Sequence, residues 1–226
     1  MSKIFKAISK LLVGIIIFIG LPVVAWGIKD IAGFFNNPVR LAFIILTVIL
    51  QIIIIIKLPE AGSDRGTTLK ALHRQRVVVW LLQLIMLSIF ILAPYSDRRM
   101  IMVFDDLNLL RGLGLILYVP SLFIMHWAEV YLADMFCVDV AIKDNHRLIT
   151  TGPFRYIRHP RYLGIVLFSV GVSLIFRSWL SLVIVALLIL VLLWRIYDEE
   201  ALMYEHFQTE WEQYCKRSWR LIPYIF

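Results

Sequence analysis

The sequence predicts an all-α integral membrane protein, and three observations carry that prediction. Hydrophobic residues make up 61% of the 226 and the mean hydropathy is +0.82, whereas soluble domains are roughly 45–50% apolar. The apolar residues lie in long unbroken runs and lack the period-two alternation of a membrane barrel. In hydrocarbon each backbone N–H and C=O must be paired within its own segment, so such runs fold as helices. One membrane domain is the expectation at this length, with N-terminal spans in residues 1–110 and a more polar, motif-bearing region in 111–226.

The first expected span is residues 11–28, preceded by Lys3, Lys6 and Lys10. It exceeds a signal-peptide core of roughly 7–15 residues and no small-residue cleavage site follows, so it should remain in the protein. Residues 39–56, 77–94 and 112–127 are further runs, each near the ~17–25 residues that a crossing helix needs. Residues 162–176 and 179–194 are parted only by Arg177 and Ser178 and should form a tight antiparallel hairpin. Gly164, Gly171 and Ser173 give that hairpin small residues for close helix contact. Residues 195–226 are amphipathic and charged, which predicts a cytoplasmic helix on the membrane surface.

About six crossings result. They put Lys3, Lys6 and Lys10, then Lys57, Arg65, Lys70, Arg74 and Arg76, then residues 143–161, then Lys216, Arg217 and Arg220 on one side. That side is cytoplasmic by the positive-inside rule, and it holds both termini. The opposite loops are balanced in charge, as in Asp97, Arg98, Arg99, Asp105, Asp106 and Arg111. The net charge of +7 is therefore explained by topology and anionic lipid, and no nucleic-acid partner is implied. Cys137 and Cys215 have neither metal-site nor disulfide-framework spacing.

Residues 146–162 interrupt the greasy pattern. They carry two of the five histidines, four arginines, two prolines and a glycine. Gly152-Pro153 reads as a turn. Pro160 sits where a helix begins, which puts His159 at that helix's N-terminus, a site able to receive an anion or ligand. Arg195, Asp198, Glu199 and Glu200 follow the last run. Arg195 and Glu199 share a helix face, and ionisable groups at membrane depth point to function. Arg155 and Arg161 are read as topology charges. His126, Glu129 and Asp134 have helical spacing but no fourth ligand completes a metal set, so no metal site is predicted. Gly112-x-Gly114 has no preceding strand and is no dinucleotide fingerprint; neither a phosphate-binding loop nor a serine nucleophile elbow is present.

The pattern His146-x-Leu148-x-Thr150-x-Gly152-Pro153-Phe154-x-Tyr156-x-Arg158-His159-Pro160-x-Tyr162-x-Gly164 resembles the isoprenylcysteine carboxyl methyltransferase family of membrane enzymes. So does Arg195 with Glu199-Glu200, followed by Leu202, Phe207, Tyr214 and Leu221-Ile222-Pro223. The likeness covers roughly residues 140–226. It implies S-adenosyl-L-methionine as cofactor, held on the cytosolic side by His146, Leu148, Thr150, Gly152, Pro153, Tyr156, Arg158, His159, Pro160, Tyr162 and Glu200. It implies Arg195 and Glu199 as catalytic residues, an apolar tunnel for a lipid-like or prenylated acceptor, and 111–226 as the catalytic region. Two positions depart from the family: Gln208 stands where glycine is usual, and Arg161 where methionine is frequent.

Methyl transfer from a sulfonium is an in-line displacement governed by positioning and electrostatics. A carboxylate acceptor, with a pKa near ~3.5, is already ionised and needs a guanidinium fork to aim it, which suits Arg195. On this reading Glu199 holds that arginine and Glu200 meets the cofactor's ribose or amino group. An amine acceptor would need proton removal, with Glu199 as base. The sequence leaves open a phospholipid N-methyltransferase, a sterol-type reductase and a non-catalytic membrane scaffold or transporter.

Overall fold

The computed structural model describes residues 3–57, 68–71, 74–105, 108–132, 141–143 and 147–226. Helices dominate them: α1 Lys3–Ile15, α2 Leu21–Trp26, α3 Ile31–Phe35, α4 Pro38–Lys57, α5 Arg74–Arg99, α6 Asn108–Leu132, α7 Pro160–Ile175, α8 Trp179–Phe207 and α9 Thr209–Cys215. A short antiparallel ladder, β1 Thr68–Ala71 against β2 Ala141–Lys143, is an element the hydropathy pattern does not signal. Among the described residues, three helices are long and apolar enough to cross a membrane: Val77–Arg99, Asn108–Leu132 and Trp179–Phe207. Leu11–Trp26 with Ile28–Phe35 makes a bent fourth, and Pro38–Ile53 and Pro160–Ile175 are shorter apolar helices. The chain is a multi-pass membrane protein.

Three boundaries differ from expectation. The first span does not run straight through Ile28; it bends by 85°. Gly27 adopts φ +122, open to glycine alone among common residues, and Asp30 then caps α3 by accepting from the Gly33 N–H at 3.2 Å. The helix expected to end at Pro94 continues to Arg99, past which Met100 turns to φ 57. Most consequentially, residues 195–226 are not one surface helix. Nothing breaks the helix after Trp194, so α8 carries Arg195, Glu199 and Glu200 on to Phe207, where Gln208 stops it with φ 45 and ψ −112. That conformation strongly favours glycine, which gives the unusual residue at this position a physical meaning.

The chain divides into two compact units, and α5 to α8 contribute residues to both. The first comprises Met1–Leu58, Ile85–Leu122 and Leu167–Ala186. Its core is aromatic: Tyr118 lies 5.0 Å from Phe43 and 5.2 Å from Phe168, ring centre to ring centre. The Tyr118 hydroxyl meets Thr47 at 2.7 Å. At Gly114 and Gly171, α6 and α7 touch backbone to backbone. A Cβ on Gly171 would lie 2.8 Å from the Gly114 carbonyl oxygen, so the pair of glycines serves helix packing.

The same unit buries an ion cluster. Asp97 accepts from Arg40 at 2.9 Å, from both terminal nitrogens of Arg111 at 2.8 and 2.9 Å, and from Arg177 at 2.5 Å. Arg40 also donates to the Phe34 and Gly33 carbonyls, and Arg111 to that of Ile175. Carbonyls at the ends of α3 and α7 thus help one carboxylate to compensate three guanidinium groups. Arg177 turns the α7–α8 hairpin with φ 42, and Ser178 caps α8 by accepting from the Ser181 N–H.

The second unit comprises Pro59–Leu84, Phe123–Val166 and Leu187–Phe226 and holds the polar motifs.

Candidate active site

Residues 147–150 carry no regular structure, and extended Thr151 leads them into a turn at Gly152–Arg155. Gly152 is required there twice over. Its φ is +61, and a Cβ would lie 2.4 Å from the Tyr131 ring. Pro153 and Phe154 are buried beneath the turn. The following segment is stitched to the C-terminal tail by backbone bonds: Trp219 N–H to the Tyr156 carbonyl at 2.9 Å, Arg158 N–H to that of Trp219 at 2.7 Å, and His159 N–H to that of Arg220 at 3.1 Å. Pro160 then opens α7, and the His159 carbonyl receives the first N–H groups of that helix, from Tyr162 and Leu163.

Glu200 organises what lies around this junction. One carboxylate oxygen accepts from Arg158 at 2.9 Å and contacts His159 Nε2 at 3.2 Å; the other accepts from Arg220 at 2.9 and 2.6 Å. Both oxygens have protein partners. Arg158 extends the clasp to the Cys215 and Ser218 carbonyls. Its hydrogen bonds to Glu200 raise the Arg220 pKa. Burial pushes the Cys215 thiol up, so at neutral pH it stays protonated.

A second set lies one helical step away. Arg195 Nε donates to the Tyr162 hydroxyl at 2.8 Å, and that hydroxyl donates to Glu199 at 2.7 Å. The sequence predicts that Glu199 holds Arg195; in the structure the Tyr162 hydroxyl is bonded to both. The Tyr162 ring stacks on His159, with centroids 5.5 Å apart and planes 15° apart, which ties this relay to the Glu200 clasp. Asp198 is buried and accepts from Gln75 of α5.

Three of these groups, Arg158, His159 and Glu199, border a cavity of about 60 Å³. Leu148, Arg158, His159 and Glu199 line it, as do Phe154, Met203, Trp211 and Tyr214, which supply an apolar and aromatic wall. Tyr214, whose phenol is pushed up by burial, donates to the Phe154 carbonyl at 2.7 Å and joins α9 to the turn. The structure therefore brings together Leu148, Arg158, His159, Tyr162, Arg195, Glu199 and Glu200. Thr150 is half-buried, Gly152 makes the turn, and Tyr156 contributes backbone while the residue is 58% exposed. His146 and Asp134 lie outside the described residues. Glu129 is paired with Arg161 at 3.1 Å, so Arg161 does more than mark topology. Arg220 and Trp211 are additions; a lone arginine in a basic tail gives no hint that it grips a carboxylate twenty residues earlier.

Comparison with known proteins finds a family likeness in this part of the chain. Residues 114–205 match the model of the isoprenylcysteine carboxyl methyltransferase (ICMT) family. That segment is similar to members of this family. A protein-S-isoprenylcysteine O-methyltransferase of Schizosaccharomyces pombe is 34% identical over 105 residues, 43% of this chain and 43% of that protein. A probable enzyme of the same name from Oryza sativa subsp. indica is 31% identical over 93 residues, 39% of this chain and 47% of that one. The chain thus spans less than half the length of these relatives. The structure of a eukaryotic intramembrane Ras methyltransferase ICMT shares the fold, with a TM-score of 0.51 at 18% identity, over 98% of this chain and 89% of that one.

Proposed function

We propose that this protein is a membrane-embedded methyltransferase that uses S-adenosyl-L-methionine to esterify the carboxylate of a prenylated or otherwise lipid-like acceptor. The observation that carries the proposal is the Arg195–Tyr162–Glu199 relay beside a cavity bordered by Arg158 and His159, in a segment similar to the ICMT family. The cavity suits the cofactor's chemistry: Phe154, Trp211 and Tyr214 give aromatic faces for a purine, while His159 and Arg158 give donors for its polar groups. Leu148, Thr150, Gly152, Pro153, Tyr156 and Pro160 hold the loop in shape. When bound, the cofactor supplies an electrophilic methyl on a sulfonium sulfur.

The protein's part is to aim the acceptor. Arg195 is 5% exposed and its orientation is fixed by Tyr162, so it presents a guanidinium edge to a carboxylate with little reorganisation. Glu199 already accepts a proton-bearing hydroxyl, which fits orientation better than the removal of a proton from an amine. Glu200 neutralises Arg158 and Arg220 and keeps the loop on the tail. The positive loops support six crossings with both termini cytoplasmic, in an inner membrane or the endoplasmic reticulum according to the cell. Residues 111–226 are the catalytic region on this reading.

Calorimetric titration of S-adenosylhomocysteine into detergent-purified protein tests it. Binding is expected to wild type, lost in His159→Ala and kept in Arg195→Ala. Absence of binding to folded wild type overturns the proposal.

A further inference from the structure

The last eleven residues fold into an ordered cap that the catalytic reading does not use in full. Leu221 and Ile222 N–H groups both donate to the Phe226 carbonyl, at 2.8 and 3.0 Å, and Ile225 and Phe226 N–H groups donate back to Ile222. This closed turn holds apolar side chains outward: Tyr224 is 88% and Ile225 79% exposed, with Trp219, Ile222 and Phe226 also exposed. Trp219 pairs with Tyr224 at 5.1 Å between ring centres. Lys216 and Arg217 are exposed beside it, and no acid follows Glu212 in the sequence. Arg220 is half-buried between two neighbours: its guanidinium lies 4.9 Å from the Phe226 ring centre and grips Glu200.

The exposed face continues onto α8. Tyr197, 72% exposed, is within electrostatic reach of Arg220, and Trp194 is exposed one turn earlier. Trp194 closes the apolar run of that helix and Tyr197 follows it. Aromatic side chains backed by cations at the end of a spanning helix match the membrane–water interface, where rings sit among headgroups and cations meet anionic lipid. A rigid turn with outward Tyr, Ile and Trp presents apolar area to that layer without an ordering cost.

We infer that the cap formed by residues 216–226 seats on the bilayer surface, with anionic phospholipid headgroups as its ligand. Trp219, Ile222, Tyr224 and Ile225 enter the interface, and Lys216 and Arg217 read the charge. Seating also steadies Phe226 against Arg220, and through Glu200 it steadies Arg158 and His159 at the cavity. This last consequence rests on the proposed function; the docking itself does not.

The test uses full-length protein in nanodiscs of phosphatidylcholine with or without phosphatidylglycerol. An environment-sensitive dye is placed at Ile225→Cys in a Cys137→Ser, Cys215→Ser background. Blue-shifted emission quenched by nitroxide-bearing lipids, stronger with phosphatidylglycerol and weakened by Lys216→Gln with Arg217→Gln, is the expected result. Water-like, unquenched emission in both bilayers overturns the docking and leaves the face to a protein partner. Quenching indifferent to phosphatidylglycerol and to the two cations overturns the anionic ligand. S-adenosylhomocysteine affinity, titrated in the same nanodiscs, should tighten several-fold with phosphatidylglycerol for wild type and not for the Lys216→Gln, Arg217→Gln protein. Quenching without any change in affinity overturns the coupling alone, and absence of cofactor binding alongside clear quenching overturns the functional reading alone.

Discussion

Two carboxylates in this molecule each gather three basic side chains, and they serve different ends. Asp97 receives Arg40, Arg111 and Arg177, with its side chain 0% exposed and helix-end carbonyls closing the cluster. Glu200 receives Arg158, His159 and Arg220, with its side chain 11% exposed and two of those partners connected to a cavity. The first is a knot that joins α4, α5, α6 and the α7–α8 hairpin. The second is a clasp, two of whose members, Arg158 and His159, also line open space. The same ingredients become a candidate site where an aromatic cavity and a fixed arginine stand beside them.

The sharpest way to separate the two is to neutralise each. Asp97→Asn leaves three buried guanidinium groups short of their counter-charge and should cost roughly 3–5 kcal/mol, read as a large loss of thermal stability in detergent. Glu200→Gln frees Arg158 and Arg220 at a partly open edge. It should abolish S-adenosylhomocysteine binding in calorimetry while lowering the melting temperature far less. If Asp97→Asn melts like wild type, the knot is not what holds those helices.

The second cluster was the more legible. His159-Pro160 at a helix start, Gly152-Pro153 at a turn and Arg195 four residues before Glu199 are local patterns, and local spacing survives into the fold. The Asp97 cluster draws on Arg40, Asp97, Arg111 and Arg177, each plausible by itself as a loop charge, and no local pattern joins them. The same holds for Arg220: its pairing with Glu200 depends on the tail folding back onto residues 156–159. The break at Gly27 and the run of α8 to Phe207 are missed for a related reason. Hydropathy reports where lipid-like residues stop, whereas helices stop where a backbone conformation forces them to.

Within the site, Tyr162→Phe removes the hydroxyl between Arg195 and Glu199. Loss of that bond should lower methyl transfer about tenfold, since a buried hydrogen bond to a charged group contributes on the order of 1.5 kcal/mol. Cofactor affinity should hold, because the ring that stacks on His159 remains. Equal loss of binding and turnover would mean the tyrosine is part of the cofactor clasp. The smallest effect is expected at Gln208→Gly, which relieves φ 45 and should stabilise the fold by about 1 kcal/mol, seen as a modest rise in melting temperature. A fall there would mean the Gln208 side chain contributes more than its backbone costs.

The central claim is that Arg195, steered by Tyr162, aims a carboxylate at a methyl donor. Incubating the nanodisc-embedded protein with methyl-labelled S-adenosylmethionine and N-acetyl-S-farnesylcysteine tests it most directly, because a methyl ester releases labelled methanol in base and an N-methyl group does not. Base-labile label made by wild type and absent from Arg195→Ala is the predicted result. Base-stable label, or no transfer by protein that binds S-adenosylhomocysteine, would contradict it.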